Sequence, residues 1–478
     1  MKDVRLHTSL ILAVLVITVS TVVAGCASGK DSTRQTVSPQ EAQQIADNAT
    51  IYGFPLVIME LTRQVLTAVP SPSGEAAPVN QFSNKKSFPD ATYTDVVRPN
   101  DDTLYSTAWV DTANEPVILS VPNTQGRYYL LPSLNFWTDV FASPGSRTTG
   151  TGAGNFAITG PGWSGKLPAG LAEMKSSTRW VWIIGRFTCY DSSDYQNVWD
   201  LQAQLKLTPL SAWGTNYVPP PSVPVDPSVN VQISPLDQLL AMDAPTYFNY
   251  VCQLLVDNPP YKADVPALES LARIGVKPGA DYKSYYAGLD NNIQTAIQTG
   301  YKSALARIPT IAVGPVKNGW QMMYGTGDYG TNYMFRAAVA YQGLGANLVD
   351  DAFYPSSFIS NDGQKYSSTK RYVLHLDKDQ IPPVNGFWSL TMYNDQALFA
   401  ANPINRYKLG SLSDPPLITN TDGSIDLYMQ GDPPDSSKIS NWLPVPASGG
   451  FSLTLRLYWP QEQVIDKSWV PPAVQLVE

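Results

Sequence analysis

Asn100-Asp101-Asp102, set between Pro99 and a strand-like run, is the densest group of acid–base side chains in the sequence. Two neighbouring carboxylates can split their pKa values and serve as acid and base, or hold a cation together. The same triplet after a proline also suits a turn whose Asx side chains satisfy backbone N–H groups, and successive strand residues point to opposite faces. Both roles stay open. A second group, Asn135, Asp139, Arg147, Thr148 and Thr149, lies on a strand end and the Gly/Ser-rich loop after it, and Trp137, between Asn135 and Asp139, is with them a ligand-binding candidate. If the two groups meet, Asp101, Asp102 and Arg147 form a catalytic set, with an aspartate moving a proton while the guanidinium grips a substrate carboxylate. Asp101, Asp102 and Asp139 would then offer oxygen ligands suited to Ca²⁺, which needs no histidine. A structural Arg–Asp pair is the competing explanation. In the C-terminal half, Arg336, Trp388, Tyr393 and Arg406 are the ligand-binding candidates. Their aromatic members are either stacking surfaces for a sugar ring or core residues.

Histidine narrows the chemistry. Only His7 and His375 occur, so zinc sites built on several imidazoles are excluded within one chain. His375 falls in an alternating strand pattern without a Gly-x-Ser-x-Gly elbow, and reads as a structural strand residue. Gly325, Gly327 and Gly330 satisfy Gly-x-Gly-x-x-Gly, but no apolar parallel strand precedes them, which favours a loop over a nucleotide site. With 32 Lys and Arg against 40 Asp and Glu, and no basic run, the chain is unsuited to nucleic acid. Cys189 and Cys252 are either a disulfide or two buried thiols.

The elements that must position these residues are mostly strands. Val117 to Val121, Arg127 to Leu134, Asn155 to Thr159 and Arg179 to Tyr190 come first, then Arg371 to Leu376, Phe387 to Tyr393, Ile425 to Gln430 and Phe451 to Trp459. Ser38-Pro39-Gln40-Glu41 is a capping box opening a helix whose first part Pro55 should kink or end, with Leu56 to Leu66 open as its continuation before the breaker at Pro70 to Gly74. Ser234-Pro235-Leu236-Asp237 repeats the cap, and spaced apolar residues over Tyr282 to Ala306 and Phe335 to Gly343 predict more helix. The fold class expected is mainly β with α additions: two jelly-roll-like β-sandwich domains plus a helical middle section.

At the N-terminus, a short apolar run after Lys2 and Arg5 closes on Val23-Ala24-Gly25-Cys26, the pattern of a lipoprotein signal. An uncleaved anchor helix is the alternative. The expected order is a signal peptide over 1–25, a tether over 26–37, a helix plus β-sandwich over 38–217, a Pro-rich linker and helical section over 218–330, and a second β-sandwich over 331–478. An acylated (palmitate-bearing) Cys26 would fix the chain to a lipid bilayer in the bacterial envelope, facing an extracytoplasmic solution.

Several long motifs carry a family resemblance. Ile51-Tyr52-Gly53-Phe54-Pro55, Arg98-Pro99-Asn100-Asp101-Asp102-Thr103-Leu104-Tyr105-Ser106, Arg147-Thr148-Thr149-Gly150 and Gly160-Pro161-Gly162-Trp163 come first in order. Asn385 to Tyr393, Asn402 to Tyr407 and Asn441-Trp442-Leu443-Pro444 follow. Together they resemble the bacterial family that combines DUF1254 (N-terminal) with DUF1214 (C-terminal), both domains of unknown function. The resemblance implies two jelly-roll-like sandwiches with helical additions and assigns no catalytic residue. Two functions are therefore expected from the residues: a tethered protein binding a small polar ligand or saccharide in a cleft between or within the sandwiches, or a carboxylate-dependent hydrolase or lyase using Asp101/Asp102 with Arg147. Both are compatible with a homo-oligomer.

Overall fold

Strand alternation sorts the N-terminal strands into two layers. The computed structural model describes residues 37–94 and 96–477. Strand Thr103–Asp111 pairs antiparallel with Trp180–Thr188 along its whole length, setting Tyr105 opposite Arg186 and Trp109 opposite Trp182. These two form the spine of a six-stranded sheet. Leu104, Ala108, Val110, Val181, Ile183 and Phe187 face inward. There they meet Val117, Leu119, Phe156 and Ile158 of a four-stranded sheet. Tyr105, Trp109, Trp182, Ile184 and Arg186 alternate with them and so point the other way, as the two-residue period requires. The expected strand over Arg127 to Leu134 is broken into Tyr129–Leu130 and Ser133–Asn135, because Pro132 has no N–H for the ladder.

The C-terminal half repeats the arrangement. Trp388–Asn394 and Phe451–Tyr458 are the centre of a seven-stranded sheet, and Tyr372–Leu376 with Ile425–Gln430 the centre of a four-stranded one. Leu390, Met392, Leu453, Leu455, Leu374 and Leu427 share the core between them.

Helices cover the outward face of the first sheet. Helix Pro39–Thr67 begins where expected, with Ser38 Oγ accepting from Glu41 N at 3.2 Å. It does not stop at Pro55 but runs on through it. A proline inside a helix costs about 3 kcal/mol. Here Ile51, Tyr52, Phe54, Leu56, Val57, Met59 and Leu61 are all buried around it, so the packing of two further turns outweighs that cost. Helix Asn291–Arg307 crosses it, and Ala244–Asp257 contributes Tyr247, Phe248 and Val251 to the same core. The predicted helix over Tyr282 to Ala306 is divided by Gly288-Leu289-Asp290 into Tyr282–Ala287 and Asn291–Arg307.

The fold is therefore mixed α/β with substantial β, with a larger helical share than the sequence pattern suggests. Residues from Val37 onward form one compact unit. The Pro-rich segment at 218–231 lies against this unit: Pro220 O accepts from Gln81 Nε2 at 3.2 Å, and Val223 N donates to Pro70 O at 2.9 Å. The signal peptide, the tether up to Thr36 and Cys26 lie outside the described residues. Among the described residues, no helix is long and apolar enough to cross a membrane.

Gly300 sets the distance between the two longest helices, since a Cβ there would stand 2.1 Å from Gln43 O. Gly300→Ala must push backbone apart rather than a side-chain tip. It should lose about 1–3 kcal/mol in urea denaturation; an unchanged midpoint would show that the crossing is looser than described.

Candidate functional site

Where the outward face of the first sheet leaves its helical cover, it borders a cavity of about 510 Å³. Thr62, Val65 and Leu66 at the end of helix Pro39–Thr67 form one wall, and Val96, Arg98, Pro99 and Asn100 another. Leu344 and Gly345 close a third. The floor is Tyr105, Thr107, Trp182, Ile184 and Arg186. Gly345 has φ +86, and a Cβ there would come 2.4 Å from Ile184 Cδ1, so glycine permits this close approach on both counts.

Arg186 is the unusual member of that floor. It is 6% exposed, yet no carboxylate lies within ion-pair distance among the described residues. Its Nη1 donates to Asn347 Oδ1 at 2.6 Å, its Nε has no partner, and its Cζ sits 4.9 Å from the centre of the Tyr105 ring. Burial alone would push the Tyr105 phenol up; the Arg186 guanidinium, by charge and hydrogen bond, overrides burial and leaves the phenol below its ordinary value. Asn100 Nδ2 donates to the Tyr105 hydroxyl at 3.3 Å and to the Tyr458 hydroxyl at 2.8 Å, linking the cavity to the junction between the two halves.

That junction holds the expected carboxylates. Asp102 Oδ2 accepts from Ser389 Oγ at 2.6 Å, and Lys408 Nζ lies 3.1 Å from Asp102 Oδ1 while also donating to Asp101 O. Burial pushes Asp102 up, but Lys408, Arg456 and the Ser389 hydroxyl more than offset this and hold it below the usual carboxylate range. Asp101 goes the other way: burial, with Asp102 beside it, raises its pKa despite Lys408, and its Oδ1 has no hydrogen-bond partner. The pair thus splits as adjacent carboxylates can. The turn reading of the triplet has support too, since Asp102 N donates to Asn100 Oδ1 at 2.7 Å.

The other expected residues are placed elsewhere. Arg147 pairs with Asp351 at 2.7 Å and lines a separate hollow of about 440 Å³ with Asn385, Trp459 and Gln461, so it is not joined to Asp101 and Asp102. Asp139 accepts from Tyr261 Oη at 2.8 Å and Tyr329 N at 3.1 Å, and does not meet the carboxylate pair. The Ca²⁺ set is corrected accordingly: among the described residues no three acidic or other metal-ligating side chains form a group, and an ammonium already sits against Asp102. Asn135, Trp137, Asp139 and Arg336 do come together, but in the interior. Asn135 Oδ1 caps Trp137 N and Asp139 N, the Trp137 ring is fully buried, and Arg336 lies 5.5 Å over it. Trp388 and Tyr393 are likewise core residues, which removes them as sugar platforms. Arg406 donates to the carbonyls of Ile439 and Trp442, a structural tie. His375, on a strand, bonds Asp426 at 2.6 Å, and Cys189 and Cys252 are buried free thiols.

A family model described as a protein of unknown function, DUF1254, matches residues 79–209, and another, DUF1214, matches residues 351–462. The chain belongs to the DUF1254–DUF1214 family. The DUF1254 part supplies Asn100, Asp101, Asp102, Tyr105 and Arg186, and the DUF1214 part supplies Ser389, Lys408, Arg456 and Tyr458, so the buried polar junction is where the two parts meet. No curated protein matches the chain. Among solved structures, the VPA0106 protein of Vibrio parahaemolyticus is similar in fold, with 24% identity and a TM-score of 0.68 over 91% of this chain and 100% of that one. An uncharacterised Burkholderia cenocepacia protein matches at 14% identity and a TM-score of 0.41, over 94% of this chain and 92% of that one.

Arg186 and Lys408 escaped the sequence reading, although Arg186 leaves a trace. Trp180–Thr188 is apolar on both faces up to Arg186, its one charged residue, and a lone charge in such a strand has to be held by something. Removing Lys408 should leave Asp102 buried without its ion pair. Lys408→Met is expected to cost about 3 kcal/mol, and adding Asp102→Asn should recover most of it. A double-mutant cycle in urea checks this; additive losses would show that the pair is not coupled.

Proposed function

We propose that the chain binds a small molecule in the cavity over Tyr105, Thr107, Trp182, Ile184 and Arg186, and that it does so as an extracytoplasmic lipoprotein acylated at Cys26. The observation that carries the binding reading is Arg186, a buried guanidinium with an unpartnered Nε beside an apolar-walled cavity of a size typical for small-molecule sites. Apolar walls around one polar end favour a ligand with an apolar body and a polar head. A saccharide has less support, because Trp137, Trp388 and Tyr393 are interior. The paired sheets of each half are, in this reading, jelly-roll-like sandwiches, with the cavity against the outer face of the first. A hydrolase or lyase using Asp101/Asp102 with Arg147 also has less support, because Arg147 is committed to Asp351 and neither aspartate lines the cavity.

Thr107 lies on the cavity floor, two residues along the strand from Tyr105. Thr107→Trp should fill the space while leaving Arg186 in place. Native mass spectrometry of the purified chain is expected to show a small molecule, or uptake of an apolar fluorescent probe, in the unaltered protein and at least tenfold less in the variant. Equal loading of both would remove the cavity from consideration. For the lipid attachment, Cys26→Ala should abolish palmitate incorporation and release the chain from the membrane fraction; unchanged labelling would refute it.

A further inference from the structure

The charge balance around the cavity is uneven. Arg98 and Arg186 both line it, and Arg456 stands behind them at the junction; burial first, and the Arg456 charge after it, lower the Arg98 pKa. None of the three has a carboxylate within ion-pair distance among the described residues. Arg98 donates to Thr454 Oγ1 at 3.1 Å and lies over the rings of Phe358 and Tyr393. Arg186 donates to the Asn347 amide. Arg456 donates to Thr391 Oγ1 at 2.5 Å, to Pro99 O at 3.2 Å and to the Tyr393 hydroxyl. The two nearby carboxylates do not redress this, since Asp102 is taken by Lys408 and Asp101 neither pairs with these arginines nor lines the cavity. Lys85, a further cation of the lining, has its own partner in Glu75. In a chain of net charge −8, two cations without an anionic partner therefore border one apolar cavity.

A buried cation without an anionic partner is expensive, and neutral hydrogen bonds recover only part of its lost hydration. The backbone reinforces the arrangement: Arg98 has φ +52, a left-handed conformation rare for arginine, and its N donates to Ala397 O at 2.7 Å. Such strain persists where surrounding contacts hold it, and here it fixes the chain that carries Arg98 into the cavity wall.

We propose that the ligand of this cavity is an amphipathic monocarboxylic acid, its carboxylate held by Arg186 with Arg98 close by and its apolar body lying along Trp182, Ile184, Val65 and Leu66. A planar guanidinium fork matches a carboxylate with two parallel hydrogen bonds, and the unpartnered Nε of Arg186 is half of that fork. The Tyr105 hydroxyl, next to the guanidinium, supplies a further donor to the same head group. A cavity of about 510 Å³ suits a molecule of this kind and is too small for a whole phospholipid. This inference rests on the cavity being a ligand site, and the test separates the two.

The full chain is titrated at pH 7.5 with octanoate, octanol and octylammonium, following binding by tryptophan fluorescence and heat by calorimetry. Octanoate is expected to bind at least tenfold more tightly than octanol, and octylammonium more weakly than either. Arg186→Gln should erase the preference for the acid while octanol binding persists, and Arg186→Lys should restore part of it. Because Arg186→Gln could fail to fold, the acid-to-alcohol ratio on the unaltered protein stands as an independent measurement. Octanol binding as well as octanoate, or preferred octylammonium, would overturn the carboxylate assignment while leaving the cavity a ligand site. Displacement of octanoate by equimolar inorganic phosphate would also overturn it. Silence from all three probes would take down the ligand-site reading and this inference with it.

Discussion

Burying charge at the seam between two β-rich halves is the constraint around which this chain is organised. Asp102 leaves the first half at the start of strand Thr103–Asp111 and meets Ser389 and Lys408 of the second, with Asp102 and Ser389 buried and Lys408 half-buried. Ion pairs of this kind contribute little net stability over an apolar seam, yet breaking one is costly because the remaining charge has nowhere to go. Their effect is to fix how the halves meet: a displacement of an ångström or two would leave Asp102, Lys408 and Arg456 without partners.

The cavity follows from that fixed meeting. Tyr105, Trp182 and Arg186 stand on the outward face of a sheet on which Trp109 is covered by helices. The helix Pro39–Thr67 ends before it reaches the edge of the sheet, and the Leu344–Gly345 turn comes in from the other side. The space between is walled by apolar side chains and floored by a guanidinium. Asn100 belongs to both regions, touching Tyr105 on the cavity side and Tyr458 on the junction side. A ligand that alters the position of Tyr105 thus acts on a network that reaches the second half.

The carboxylate pair illustrates how position decides chemistry. Asp101 and Asp102 are consecutive and equally buried, yet one is pushed up and the other held down, because only Asp102 has Lys408 and a serine hydroxyl on its oxygens. The arrangement resembles an acid–base pair in its energetics, but neither aspartate faces the cavity. In this fold the split serves the seam first.

Much of the scaffold was legible in the sequence. Period-two alternation located Val117–Val121, Tyr372–Leu376, Ile425–Gln430 and Phe451–Tyr458, and Ser38 and Ser234 marked helix starts, because these signals depend on local geometry alone. The acidic triplet was visible as well, and the motif runs carried the family. Tertiary structure alone decided the rest. Pro55 stays within a helix because packing contributed by distant residues exceeds a local penalty. Arg147 goes to Asp351, and Trp137 and Trp388 to the core, because partners come from chain segments hundreds of residues apart or from whole sheets closing. Arg186 and Tyr105 become neighbours only through strand register, and become a cavity floor only where the helix cover ends. A sequence specifies which side chains can bear charge or bury it; which of them must share one enclosed space is set by contacts that exist only once the chain has folded.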